Sequence, residues 1–227
     1  GYKKILPYVF AVETPDGSGS GVFLTRNEAG NIAAVATAAH VVEHAEAWKL
    51  PIKLRHHSTA EEVFLDESSR VIFVDKARDS ATILFPVGTY KLPEHSLTMI
   101  DEDKYKTVGT EVGWVGFPSI ADPNLCFFSG RISAYLKDSY LVDGVAINGV
   151  SGGPVFALQQ DDAPQLLGTV SAYMPNRLHG NTLPGLLSAQ DVTHFHEVVK
   201  TMKSMDEARR KQSEVEAKKL QDEAAAQ

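Results

Sequence analysis

Three side chains of the kinds that carry out acyl transfer stand in short, distinctive surroundings. His40 follows Ala36-Thr37-Ala38-Ala39, Asp79 precedes Ser80-Ala81-Thr82-Ile83-Leu84, and Ser151 lies within Gly149-Val150-Ser151-Gly152-Gly153-Pro154. A serine hydroxyl is a weak nucleophile at its free pKa and needs a base within hydrogen-bond reach. An imidazole titrating near neutrality can take that proton and return it to a leaving amine. A carboxylate on the other ring nitrogen fixes the tautomer and stabilises the imidazolium. Glycines beside the serine let the backbone turn sharply, so that two amide N–H groups can converge on a developing oxyanion.

The elements that must position these groups follow from the hydrophobic pattern. Up to about residue 190 the chain is a succession of short apolar or alternating runs cut by Gly, Pro, Asp and Asn, the mark of strands. A first set covers 5–12, 21–25, 32–36, 71–74 and 81–85. A second covers 111–116, 127–136, 140–147, 154–158 and 166–172. Strands at such spacing, with turn signals at Asp16-Gly17 and Asp143-Gly144, suit a sandwich or barrels rather than alternating β and α units. The polar stretch from Lys91 to Thr107 reads as the connection between two β-subdomains. Ser188, with Asp191 three residues on, suits a helix start. Val192, Phe195, Val199 and Met202 then recur at helical spacing. Beyond Met205 the chain is charged, Ala-rich and free of Gly and Pro, so it reads as an exposed helix or spacer through which a partner or further domain could attach.

With these residues in view, the chain resembles the chymotrypsin-like (trypsin-like) serine proteases. The order His, Asp, Ser, roughly 40 and 70 residues apart, is theirs and not that of subtilisins or α/β-hydrolases. Thr37-Ala38-Ala39-His40 and Gly149-Val150-Ser151-Gly152-Gly153-Pro154 are similar to the superfamily's two signature segments. Gly19-Ser20-Gly21-Val22-Phe23-Leu24 and Gly113-Trp114-Val115-Gly116-Phe117-Pro118 resemble its disulfide-free bacterial branch, which includes the HtrA-type proteases. The resemblance implies an all-β fold of two six-stranded antiparallel barrels with a C-terminal α-helix. The expected division is an N-terminal barrel over 1–92, a connection over 93–107, a C-terminal barrel over 108–189, and a helix with a charged tail over 190–227. It implies a serine endopeptidase with catalytic His40, Asp79 and Ser151, and an oxyanion hole from the N–H groups of Gly149 and Ser151. Substrate would be bound by Val145, Ile147, Ser171, Ala172 and Tyr173, the last three on a strand that pairs with an extended peptide. It implies a protein or peptide substrate and no cofactor or metal, and it favours an extracytoplasmic location without excluding the cytoplasm. Two departures stand out. Val150 takes the place of the acidic residue that digestive members use for activation by a freed N-terminus, and no PDZ domain follows the protease segment.

Composition narrows the alternatives. The 227 residues carry a formal net charge of -7, which argues against nucleic acid as partner, because no basic surplus exists to neutralise phosphates. The single cysteine, Cys126, permits no intramolecular disulfide and reads as a small apolar residue rather than a nucleophile. No run reaches the ~18 apolar residues of a spanning helix. Gly19-Ser20-Gly21 lacks the Lys and Ser/Thr of a phosphate loop and enters a strand, so it is structural. The remaining histidines make no ligand pattern. Two other functions stay open: a pseudoprotease whose barrels serve as a peptide-binding module, and an esterase on another fold. The esterase would need a helix directly after Gly149-Val150-Ser151-Gly152-Gly153, which Pro154 opposes.

Overall fold

The computed structural model describes residues 2–178 and 180–225. A short helix, α1 (Tyr2–Ile5), and a 3-10 turn over Leu6–Tyr8 open the chain. The first strand therefore begins at Val9 and not at residue 5; Pro7 lies in that stretch and has no N–H to give a ladder.

Seven antiparallel strands make the first unit: β1 (Val9–Thr14), β2 (Gly17–Arg26), β3 (Ile32–Thr37), β4 (Ile52–His56), β5 (Glu62–Leu65), β6 (Val71–Asp75) and β7 (Ser80–Pro86). Their order across the sheet is β5-β4-β1-β2-β3-β7-β6. The expected six-stranded closed barrel is thus replaced by a seven-stranded sheet with two free edges. At the gap a side chain, not a strand, meets the β5 edge: Arg70 Nη1 donates to Leu65 O at 3.0 Å and to Leu50 O at 2.7 Å. Helix α2 (Ala39–Ala47) lies across the sheet and buries Ala39, Val42 and Ala45 against Phe10, Phe23, Ile52, Leu54, Ile83 and Phe85. β4 and β5, absent from the expected set, alternate buried apolar with more exposed, mainly charged residues.

The second unit does close. β8 (Glu111–Gly116), β9 (Cys126–Leu136), β10 (Ser139–Asp143), β11 (Pro154–Leu158), β12 (Pro164–Leu178) and β13 (Asn181–Asp191) form a six-stranded barrel in the order β10-β13-β12-β11-β8-β9. β10 ends at Asp143, so residues 144–147 are loop and not the tail of a strand. Ser188 to Gln190, expected to start a helix, instead pair with Leu141, Tyr140 and Ser139 on β10; ladder pairing outweighs local capping preference. The helix, α3 (Thr193–Ala225), starts two residues after β13, where Asp191 Oδ1 accepts from Thr193 N at 2.9 Å.

One apolar cluster runs through both units, joining Val9, Ala11, Val22, Leu24, Ala34 and Ala36 to Trp114, Val115, Val150, Leu166 and Leu167. The first turns of α3 add Val192, Phe195, Val198 and Met202 to it. Val198 is the buried residue of its turn, whereas Val199, expected in the stripe, is half-buried. The helix also lies on the first unit: buried His194 faces Thr82 of β7, with Nε2 and Oγ1 3.2 Å apart. Asp206 accepts from Glu28 N at 2.8 Å and Arg210 reaches Glu28 at 3.4 Å. Residues 211–224 are exposed.

Candidate active site

His40 is the second residue of α2, whose N-cap, Ala38, has no side chain that can accept a hydrogen bond. The first N–H groups of a helix have no partner within it. Here Asp79 takes two of them: its carbonyl accepts from Ala39 N at 3.1 Å and its Oδ1 from His40 N at 2.9 Å. The same carboxylate receives the His40 ring, with Nδ1 at 2.9 Å from Oδ2 and 3.0 Å from Oδ1. A third donor, Ser171 Oγ, lies 2.5 Å from Oδ2. Asp79 holds this position with φ of 45°, a left-handed conformation that Asp tolerates better than most residues. It sits in the turn between β6 and β7, where Arg78 pairs with Asp75 at 2.8 Å.

The charges respond to this arrangement. Burial alone would raise the Asp79 carboxyl, but the hydrogen bonds from His40 and Ser171 outweigh it and hold the group below the usual carboxylate range. The bond to Asp79 raises the His40 imidazole above its ordinary value, against the lowering effect of partial burial. With Nδ1–H donating to the carboxylate, Nε2 is the basic nitrogen, and among the described residues it has no hydrogen-bond partner.

Ser151 comes to this pair through the loop between β10 and β11. Its carbonyl accepts from Ser20 N on β2 at 2.7 Å. Gly152 packs onto the segment leading to His40: a Cβ there would lie 2.2 Å from Thr37 Oγ1 and 2.8 Å from Ala38 N. Only glycine fits that approach, and its φ of 83° adds a second reason. Gly149, with φ of 95°, is similarly enclosed by Phe117 O and Ser119 N. Among the described residues, Gly149 N, Ser151 N and Ser151 Oγ make no hydrogen bond, so two amide donors and one hydroxyl on this loop are open.

The residues expected to contact substrate divide into three groups. Val145 is exposed and Ile147 half-buried, both on the loop after β10. Ser171, expected in a pocket wall, is 7% exposed and has its hydroxyl on Asp79. Ala172 is exposed and pairs with Ser188; the Tyr173 hydroxyl accepts from Gly185 N. β12 pairs with β11 only as far as Thr169. The support that Ser171 gives Asp79 was not legible in the sequence, because a serine in a β-run carries no sign of its partner.

Two other histidines, His56 and His196, hold structure. His56 Nε2 lies 2.6 Å from Pro7 O and His196 Nε2 2.8 Å from Ile100 O. His194, Asp75 and Glu197 bring ligand-type atoms within 4.8 Å of one another. Arg78 already provides the cation there, 2.8 Å from Asp75 and 3.9 Å from Glu197. Cys126 is free and half-buried at the start of β9. No helix among the described residues is long and apolar enough to cross a membrane, which leaves spanning by strands unaddressed.

Solved structures similar to this one include proteases. The structure is similar to a serine endoprotease from Yersinia pestis, with TM-score 0.65 and 17% identity over 88% of this chain and 64% of that one. It is similar to Deg5, with TM-score 0.63 and 16% identity over 86% and 88% of the two chains. An inactive form of Rv3671c from M. tuberculosis H37Rv matches with TM-score 0.59 and 16% identity over 87% of each chain. At such identities the likeness is one of fold, and this chain spans less than two thirds of the Yersinia pestis enzyme. No curated protein matches in sequence. A family model does: residues 19–162, more than half of the chain and containing His40, Asp79 and Ser151, fit the trypsin-like peptidase domain, and the chain belongs to that family.

Proposed function

We propose that the protein is a serine endopeptidase that cleaves peptide bonds through an acyl-enzyme on Ser151. The observation that carries this reading is the double contact of the Asp79 carboxylate with His40 Nδ1, at 2.9 and 3.0 Å, which leaves Nε2 free to serve as the base for Ser151. His40 takes the Ser151 proton as the hydroxyl oxygen attacks the scissile carbonyl. Asp79, kept ionised by Ser171 and the N-terminus of α2, stabilises the imidazolium. The N–H groups of Gly149 and Ser151 receive the carbonyl oxygen as it gains charge. His40 then gives its proton to the departing amine; water, deprotonated by the same imidazole, releases the acid. An extended substrate backbone pairs with β12 at Ala172, beyond the end of the β11 ladder at Thr169. The residue before the cut faces Val145 and Ile147.

A fluorophosphonate probe, which phosphonylates an activated serine, tests the reading. The expected result is labelling of the native protein at Ser151 and none of a folded Ser151→Ala variant. A folded native protein that neither labels nor cleaves a diverse peptide library would turn the assignment towards a peptide-binding module.

A further inference from the structure

Two sets of contacts fix the turn between β6 and β7 that presents Asp79. The first lies inside the turn: Asp75 Oδ1 accepts from Arg78 N at 3.1 Å, and Ser80 Oγ donates to Arg78 O at 3.1 Å. The second reaches the turn from outside and converges on Arg78. Its guanidinium lies among three carboxylates on three elements. Nη1 is 2.8 Å from Asp75 Oδ2 on β6 and 3.9 Å from Glu197 on α3. Nε is 3.6 Å from Asp138 Oδ2 in the turn between β9 and β10, at ion-pair rather than hydrogen-bond distance. The side-chain amide of Gln190 on β13, oriented to satisfy both acceptors, donates to Arg78 O at 3.0 Å and to Asp138 O at 3.3 Å. The residue before Asp79 is thus tied to the second unit through its main chain and its side chain, and to α3 through its side chain.

Asp79 needs such a hold. Its φ of 45° lies in a region that non-glycine residues keep only where the surroundings over-determine it. Its carboxylate must also meet donors from both units at once: His40 N and Nδ1 on α2 of the first, and Ser171 Oγ on β12 of the second. A shift of the turn relative to the second unit would lengthen one bond or another. An isolated surface ion pair holds little, but a charge shared among several partners holds more. The planar fork of an arginine can address several carboxylates from one position, which the point charge of a lysine does less well. The effect on Asp79 is geometric, because the groups that keep its carboxyl low are His40 and Ser171.

We infer that Arg78 is a positioning residue for Asp79: by joining Asp75, Asp138 and Glu197 it locks the β6–β7 turn against the second unit and α3, in the place where the Asp79 carboxylate meets both His40 and Ser171. Arg78 acts through Asp79 and is not itself a catalytic residue. The inference rests on the endopeptidase reading above and deepens it.

The experiment compares native protein with Arg78→Gln, Arg78→Lys and Lys76→Gln. Three quantities are read: kcat and KM on one cleavable peptide, the titration of the His40 ring by NMR, and the melting temperature by circular dichroism. In Arg78→Gln, kcat should fall about ten- to a hundredfold, the scale of a displacement of about 1 Å at a catalytic group, with KM nearly unchanged. The sign of the change at His40 separates positioning from charge. The carboxylates that act on the ring are Asp79 and Glu43. Loosening the Asp79 bond lowers the ring towards its ordinary value of about 6.5, whereas removing a nearby positive charge would by itself raise it. The ring should therefore titrate lower in Arg78→Gln than in the native protein. Arg78→Lys keeps the charge without the fork, so it should fall between the two and still fold if the glutamine variant does not. Lys76→Gln removes an exposed cation of the same turn, 3.3 Å from Glu43, and should leave kcat near native because such a pair contributes little. A His40 titration unchanged or raised in folded Arg78→Gln would overturn the inference. So would a lower melting temperature with kcat unchanged, or an equal loss of kcat in Lys76→Gln. A native protein that cleaves no peptide would count against the endopeptidase reading, and the His40 titration would still decide the role of Arg78.

Discussion

Shortening α3 at three points should give three distinct results. If the chain ends at Arg210, everything removed is solvent-exposed over 211–224, with local contacts such as Gln212 to Glu216 and Lys219 to Glu223. Pairs of this kind contribute a few tenths of a kcal/mol to a helix and nothing to the core. The melting temperature should move by about 1 °C or less. If the chain ends at Met205, it also loses the Asp206 bond to Glu28 N and the Arg210–Glu28 pair. Exposed contacts of these types contribute about 1 kcal/mol together, or about 2–4 °C in a chain of this size. If the chain ends at Asp191, it loses Val192, Phe195, Val198 and Met202 from the core. At about 1.5–3 kcal/mol each, an upper figure for such burial, the sum of about 6–12 kcal/mol rivals the whole stability of a domain. That variant should show no cooperative melt. Circular dichroism melts and peptide hydrolysis read all three. A fall of more than about 4 °C on ending at Arg210 would refute the reasoning. So would an oligomer of the full chain, seen by light scattering, that becomes monomeric on the same cut.

Other outcomes follow from the same geometry. Ser151→Ala should abolish proteolysis with the fold intact, so hydrolysis above a few per cent of native would reject Ser151 as nucleophile. Activity should rise with pH through one limb above the ordinary histidine value of about 6.5, because Asp79 raises His40 and only the neutral ring can accept a proton; a rate flat from pH 5 to 8 would exclude His40 as the base. Cleavage should follow apolar residues rather than Lys or Arg, since Val145 and Ile147 offer no acidic partner; a library cut mainly after Lys or Arg would contradict this. Arg70→Met should cost about 3–5 kcal/mol by thermal or denaturant unfolding. That guanidinium, 1% exposed, binds Glu46 and the carbonyls of Ala45, Leu50 and Leu65, and a loss below 1 kcal/mol would show that the contacts stabilise little.

The residues of the site were more legible than the shape around it. The segments around His40, Asp79 and Ser151 stand out because their small, turn-forming or apolar neighbours leave a pattern. The sheet edges leave none. Nothing local to Arg70 indicates that its side chain reaches Leu65 O at the edge of β5, where an expected closed barrel stays open. β13 was hidden by a similar competition: Ser188 and Asp191 look like a helix start, and only the pairing of 188–190 with β10 makes them strand. Val198 displaced Val199 from the buried stripe because the orientation of α3 is set by the sheet and barrel beneath it, which periodicity alone does not fix. Ser20 lies in a Gly-Ser-Gly run, but its hydrogen bonds cross between units, and sequence distance conceals such contacts.

The placement of Ser20 bears on how the molecule comes into being. The loop of Ser151 takes hydrogen bonds from β2 of the first sheet, and His40 sits on the helix that follows β3 of that sheet. Neither half can hold a cutting geometry before the two have docked. On the proposed function, proteolytic competence therefore arrives only once the two units have docked.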